Sequence, residues 1–493
     1  MENNFEIQYE EQNDLIIEQM RELIASKSIR KIRDFMDEFP VADIAIALGH
    51  LDIIDQLYFL RTLKKDDAAE LFSYLEDDQK TALVQKFSDE DGIHILQELQ
   101  SDELADLIEE LPVNLQVSIL AKTSVEKRNL VNQILSYSED QVGSIMSVDI
   151  STLESNLTTK KALNKLKRDY KNTNKEFTHY FYVTNEHRQL LGSVTLEEIV
   201  FASESDLIED IMSPVTSVQN YDDKEHAAQI FSTHDLSSLP VVDKDERIIG
   251  MITSDDVIDV IQEEATEDMY KLAGINPDAA EESYLKTSTK KIVSSRVFWL
   301  IILMVSATLS QAIIQAFTNI SEHFIESLGA SVSTAVIVSL IPVISGSAGN
   351  AGSQSSTTIT RAVALGEIPK EKVKTAVWKE FKVSLIIGAI LFIANIIRLI
   401  IYFLIANQIT VEAEHKTKLV DTAFMILASS LSLWFVIILA KFLGTIIPII
   451  AVKLKKDPAV MSAPILSTLS DAISTLFFFG IVILIFFLAY GLK

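Results

Sequence analysis

Apolar and polar positions run along this chain in three successive rhythms. Between about residues 20 and 135, blocks with apolar positions at helical spacing restart every 11–13 residues or so: KKDDAAELFSYL, EDDQKTALVQKF, SDEDGIHILQEL and QSDELADLIEEL. Each opens on acidic residues, which suit helix N-termini because they complement the free N–H groups and the helix dipole. Helices this short bury an apolar face only against neighbours, so the pattern predicts a stacked, all-α superhelical N-domain over 1–138. The last rhythm begins after Arg296, where apolar residues become nearly continuous over roughly 297–317, 329–348, 383–406, 422–450 and 460–490. Each stretch holds about 20 or more mostly apolar residues, enough for a helix to cross a hydrocarbon core of ~30 Å.

The middle rhythm is a longer repeat. IMSVDISTLESNLTTKKALNKLK leads to HYFYVTNEHRQLLGSVTLEEIV, and IMSPVTSVQNYDDKEHAAQIF leads to LSSLPVVDKDERIIGMITSDDVIDVI. Met146 aligns with Met212, Gly192 with Gly250 and Thr195 with Thr253, and the first copy is about eight residues longer in its middle. Both copies predict strand–helix–strand–strand–helix. The apolar strand, Gly, strand and Thr-x-acid-acid helix start resemble a tandem pair of CBS domains, here at 139–203 and 204–268. Such pairs generally form regulatory modules that sense adenine nucleotides or ions. The segment at 269–292 is expected to form a connecting helix leading to the five-helix transmembrane domain at 293–493.

Charge separates the two ends. Residues 1–292 carry 28 Lys/Arg against 59 Asp/Glu, whereas 293–493 carry 15 against 10. The acidic part is suited to cations and disfavours nucleic acid, which requires Lys/Arg to replace counterions. The chain contains no Cys, which excludes disulfides, zinc–thiolate sites and Cys nucleophiles. No nucleophile–base pair, P-loop or metal-hydrolase motif is present, so an enzyme is not expected. The N-terminal stretch MENNFEIQYEEQND is acidic and lacks an apolar run. The loops RAVALGEIPKEKVKTAVWKEFK and KLKKDP are basic, whereas TNISEHFIESLGAS has no Lys or Arg. Positive loops face the cytoplasm, so the expected arrangement in the cell membrane is N-terminus inside, five crossings and C-terminus outside.

Charged groups inside the bilayer are costly and therefore functional candidates. Asp471 lies about a third of the way into the last apolar stretch, with no Lys or Arg in helical reach in that stretch. Arg398 and Lys441 have side chains long enough to reach towards an interface. The second stretch breaks into SLIPVISGSAGNAGSQSSTTITRA. Its small residues, including Gly349, permit close helix approach or local unwinding, and Asn350, Gln354 and the Ser/Thr run make a polar stripe. Lipid does not satisfy such a stripe, whereas a water-filled pore wall does.

SGSAGNAGSQS, LGTIIPIIAVKLKKDPAVMSAPILSTLSD and VIDVIQEEATEDMYKL resemble the MgtE family of magnesium channels and transporters. The resemblance covers essentially the whole chain. Ala348, where the family often has Gly, and Lys441 depart from it. It implies a homodimer with one pore between protomers, Asp471 as the pore carboxylate for hydrated Mg2+, and Asn350, Gln354, Ser467, Gly349 and Pro464 around the pore. It also implies Mg2+-sensing positions at Asp223, Glu225, Asp235, Asp256, Asp259, Glu264, Glu267 and Asp268, faced by Asp102 and Asp106 of the N-domain. Mg2+ between these surfaces would hold the channel closed, and ATP is a further ligand implied at the CBS cleft. Oxygen ligands alone suit Mn2+ as well as Mg2+, so a Mn2+ or Co2+ transporter stays open as an alternative, as does a membrane-anchored sensor without a pore.

Overall fold

The computed structural model describes residues 2–87, 90–172, 175–277, 284–285, 287–328, 334–405, 416–454 and 456–491. The chain divides into two compact units, Met1–Gln262 and Glu263–Lys493. In the first unit, the acidic blocks become the short helices Lys65–Ser73, Asp77–Val84, Glu90–Glu98 and Ser101–Glu110. Their apolar positions, among them Leu71, Phe72, Leu83, Leu104 and Ile108, lie in one continuous core that extends from Ile16 to Val260. Acid-first, apolar-later patterning thus yields stacked helices with acids at their N-terminal ends.

The two repeats fold as expected and then interlock. In the first, Thr152–Glu154 pairs parallel with Tyr180–Thr184, which pairs antiparallel with Leu190–Thr195. In the second, Val218–Gln219, Ser238–Val242 and Ile248–Thr253 make the same sheet. Each Met-Ser segment docks on the opposite copy: Ser147 exchanges backbone hydrogen bonds with Met251 (2.8 and 2.9 Å), and Ser213 does so with Ser193 (2.9 Å each). This explains the aligned glycines. A Cβ on Gly250 would lie 2.7 Å from the Ser147 carbonyl oxygen, and one on Gly192 would lie 2.4 Å from that of Ser213. The Tyr182 hydroxyl and the Ser238 hydroxyl, 2.7 Å apart, join the two sheets at their centre.

The helix Ser254–Leu272 closes the second repeat. It ends at Gly274, whose φ of +69° places it in the left-handed region. The Ile275 N–H reaches back to the Tyr270 carbonyl and the Gly274 N–H to that of Lys271, which is a Schellman cap. The expected connecting helix over 269–292 is therefore not one helix among the described residues, because the cap stops the chain and the next helix opens at Thr289. Most of 278–286 lies outside the described residues.

In the second unit, the described residues include five helices long and apolar enough to cross a membrane. They are Thr289–Ser327, Thr334–Ala364, Val373–Ile405, Lys416–Lys453 and Pro458–Phe486. The second packs on the fourth and fifth, the third on the fourth, and the first on the fifth. The glycine-rich second helix stays α-helical, and its small residues serve close approach. A Cβ on Gly444 of the fourth helix would sit 2.2 Å from the Gly352 carbonyl oxygen, while one on Gly346 would meet nothing within 4 Å. Gly444→Ala is expected to lower the apparent unfolding temperature of the purified full chain by roughly 5 °C or more. Gly346→Ala should leave it unchanged or raise it, since Ala is the better helix former. Equal losses at both sites would contradict this packing.

Candidate functional site

Within the first unit, four carboxylates gather where the N-domain meets the repeats. Asp102 stands in the first turn of Ser101–Glu110. Asp106, an exposed residue, follows one turn later. Asp256 sits in the first turn of Ser254–Leu272, where its Oδ2 accepts hydrogen bonds from the Thr253 hydroxyl (2.7 Å) and N–H (3.2 Å). This is the Thr-x-acid-acid signature acting as a helix cap. The fourth is Glu176, whose N–H donates to the Asp149 carbonyl at 2.9 Å. One carboxylate oxygen each of Asp102 and Glu176 is buried without a hydrogen-bond partner.

The electrostatics follow from this crowding. Burial, then the Asp256 and Glu176 charges, push the Asp102 carboxyl well above the ordinary carboxylate range. Burial and Asp256 push Asp106 up to about 7, partly offset by Lys80 and screened by solvent where the residue is exposed. Burial, with the Asp256 charge adding to it, raises Glu176 to about 7. Burial likewise raises Asp256 to about 6, against the bonds from Thr253. A neighbouring ammonium group, Lys127, is engaged by the backbone carbonyls of Gln97 (2.8 Å) and Leu99. Among the described residues no three Asp, Glu or His side chains stand close enough to hold a bare metal ion. A hydrated divalent ion is bound through its water shell, so it is compatible with this looser ring.

The other sensor candidates divide. Asp223 accepts a hydrogen bond from the Glu225 N–H at 2.8 Å and caps the helix Lys224–Thr233. Asp235 turns the chain after that helix with φ of +50°. Both have structural work to do. Asp259 is exposed and Glu264 half-buried on the helix Ser254–Leu272. In the second unit, Glu267 pairs with Lys271, whose Nζ also lies 2.6 Å from an Asp457 carboxylate oxygen. Burial and Asp457 raise Asp268 beside them. Glu267 thus has a lysine as its counter-ion.

In the membrane helices, the Ser345 hydroxyl of the second helix donates to Asp471 of the fifth. Asn350 and Gln354, one turn apart, are exposed on one face of the second helix together with Gly346, Ser353 and Thr357. Ala348, Ala351, Ser355 and Ile359 on the other side are buried. A Cβ on Gly349 would also meet open space. The side chains of Pro464 and Ser467 lie outside the described residues. Lys441 does not reach for an interface: it is 4% exposed and held by Ser355 and Glu380. Arg398 is exposed and donates to the Asn395 side-chain oxygen at 3.1 and 2.9 Å. Sequence reasoning missed Glu176, Ser345 and Glu380. Glu176 lies in the extra middle segment of the first repeat, which was the one available signal. The other two are marked only by tertiary pairing.

The four acidic carboxyls bind protons more tightly folded than unfolded. Their assembly is therefore most stable below the ordinary carboxylate range and loses stability as pH rises through about 6 to 7. Without divalent cations, hydrogen-exchange protection of residues 101–110, corrected for intrinsic rates, should fall between pH 5.5 and 7.5. Millimolar Mg2+ should restore it. Asp102→Asn should flatten both responses, and undiminished responses in that variant would exclude the cluster as their source.

Family models match the MgtE intracellular N domain at residues 39–140, the CBS domain at 142–205 and 208–263, and the MgtE divalent cation transporter domain at 341–481. The magnesium transporter MgtE of Bacillus subtilis is 27% identical over 93% of this chain and 95% of its own. That of Thermus thermophilus is 26% identical over 94% and 96%. The crystal structure of the soluble part of a magnesium transporter is 25% identical, covering 51% of this chain and 99% of its own at a TM-score of 0.49. With its helical N-domain, CBS pair and five apolar helices matched in this order, the chain belongs to the MgtE family of divalent cation transporters.

Proposed function

We propose that this chain is a Mg2+-selective channel or transporter for magnesium uptake, closed by Mg2+ on its cytoplasmic N- and CBS domains. One observation carries conduction: the second membrane helix leaves Asn350, Ser353, Gln354 and Thr357 uncovered on one face, although its other face is packed. Hydrocarbon does not satisfy these groups, whereas a water-filled path does. A second copy of the chain facing this stripe would enclose such a path, which favours a homodimer. Two copies of Asp471 near a shared axis would repel unless a cation lay between them. Mg2+ suits the site because it keeps its water and takes few carboxylates. Binding of this kind is also weak enough to release the ion.

The basic stretches Arg361–Lys382 and Lys453–Lys456 favour a cytoplasmic N-terminus and an outside C-terminus in the cell membrane. On that side the Asp102, Asp106, Glu176 and Asp256 cluster would read internal Mg2+. Repulsion holds it open without the ion, and the ion draws it shut. ATP is a second candidate ligand. A cavity of about 510 Å³ between the repeats, lined by Leu190, Val218, Asp222, Val242 and Glu246, has room for a nucleotide. Relatives matched over nearly the whole chain are transporters, which favours transport over an enzyme or a poreless sensor. Mn2+ or Co2+ stays the second reading, because oxygen ligands accept them too.

Ion flux into vesicles at controlled internal Mg2+ tests both halves. Asp471→Ala should reduce Mg2+ uptake at least about tenfold, equivalent to ~1.4 kcal/mol of lost ion stabilisation. Normal uptake in that variant would sink the pore assignment. Asp102→Asn combined with Asp256→Asn should keep uptake and lose its suppression by internal Mg2+. Uptake of Mn2+ undiminished by excess Mg2+ would favour the second reading.

A further inference from the structure

We infer that Glu380 and Lys441 form a charge-neutralising pair beside the ion path that fixes the polar half of the second membrane helix and sets cation affinity. Three helices meet here. Lys441 Nζ of the fourth donates to Ser355 Oγ of the second at 2.9 Å. Ser355 Oγ donates in turn to Glu380 Oε2 of the third at 2.8 Å. Glu380 Oε2 lies 3.6 Å from Lys441 Nζ. Ser355 and Lys441 are 1% and 4% exposed, so neither relies on water.

The location gives the pair its role. Gly352 and Gly444, each three residues from a member of the triad, bring the second and fourth helix backbones into close approach. That crossing leaves Lys441 between helices with Glu380 as its counter-charge, and the pair is neutral as a unit. Ser355 adjoins Gln354 of the open polar face. It is about 7.5 Å along the helix axis from Asn350, and about 15 Å from Ser345, which holds Asp471. Across that distance, in a partly dry medium, one unbalanced charge changes occupancy by a divalent ion by roughly tenfold. A lone Lys441 would repel the ion and a lone Glu380 would attract it. Glu380 and Lys441 are positioning residues, because they act on the path through Ser355 and through their field without touching the ion.

This inference rests on the conduction reading above, and the experiment separates the two. The full-length wild type, Glu380→Gln, Lys441→Met and the double variant are reconstituted, and initial Mg2+ uptake is measured against Mg2+ concentration. Glu380→Gln should raise the half-saturating concentration roughly tenfold, Lys441→Met should lower it by a similar factor, and the double variant should return to within about threefold of wild type. A merely structural pair would shift both single variants in the same direction, and that result overturns the inference. So do two single variants within about twofold of wild type. If a single variant fails to assemble by size exclusion, Glu380→Asp and Lys441→Arg are measured instead. They keep both charges and should stay within about threefold, and a larger shift overturns the inference. Wild type without divalent flux refutes the conduction reading, and this inference with it.

Discussion

A charge taken out of water must find a counter-charge, a hydrogen bond or an ion, and this molecule leaves that demand only partly met. Lys441 meets it fully, through Glu380 and Ser355. Asp471 meets it with the Ser345 hydroxyl, a neutral donor that orients a carboxylate without cancelling its charge. Asp102 and Glu176 meet it least, since burial and neighbouring carboxylates, Asp256 among them, press both towards protonation. Where compensation is complete the charge is cancelled locally, and where it stops short a bound cation would complete it.

Packing makes this gradation possible. Gly352 and Gly444 bring two helices together so tightly that a Cβ on Gly444 would collide with the Gly352 carbonyl, while one on Gly352 would press on the Ala440 carbonyl and Leu466. The same crossing forces Lys441 inward and aims the opposite face of the second helix away from its neighbours. Interlocking has a similar effect in the repeats. The Met-Ser segment of each copy lies on the sheet of the other, so Gly192 and Gly250 give room to a carbonyl rather than to a turn. These glycines are about approach, not backbone freedom, in contrast to Gly274, whose φ of +69° ends a helix.

Much of this was legible in the residues. The 11–13 residue rhythm, the duplicated strand–helix–strand–strand–helix pattern and the apolar stretches each express one periodicity, and periodicity is local. Asp471, Asn350 and Gln354 stood out because a polar group in an apolar run is conspicuous at any resolution. What could not be read was pairing across elements. Glu380 lies in a basic loop sequence and is indistinguishable there from a surface acid, yet it decides what Lys441 is. Glu176 belongs to the ring around Asp256 only because the first repeat folds it there. Asp223, placed with the sensors by resemblance, also has a local task that its sequence did not announce, as the cap of a helix. The segment expected as a connecting helix is interrupted at Gly274 by a C-terminal cap, which the helical patterning on either side does not reveal.

The incomplete compensation also bounds how strongly each site can act. A cation path must bind well enough to select and weakly enough to release. Complete neutralisation of Asp471 by a nearby lysine would abolish selection. A ring of bare carboxylates in direct contact with Mg2+ would hold it too long, since removing its ligands is slow and costly. A single carboxylate steadied by a hydroxyl, as Asp471 is by Ser345, lies between these limits. The acidic cluster obeys the same logic on a different equilibrium. Burial pushes Asp106 and Glu176 up to about 7 and Asp256 up to about 6, so near neutral pH a divalent cation would compete with protons for the same charge. Assembly of these groups works against their mutual repulsion, which a bound proton or cation would relieve.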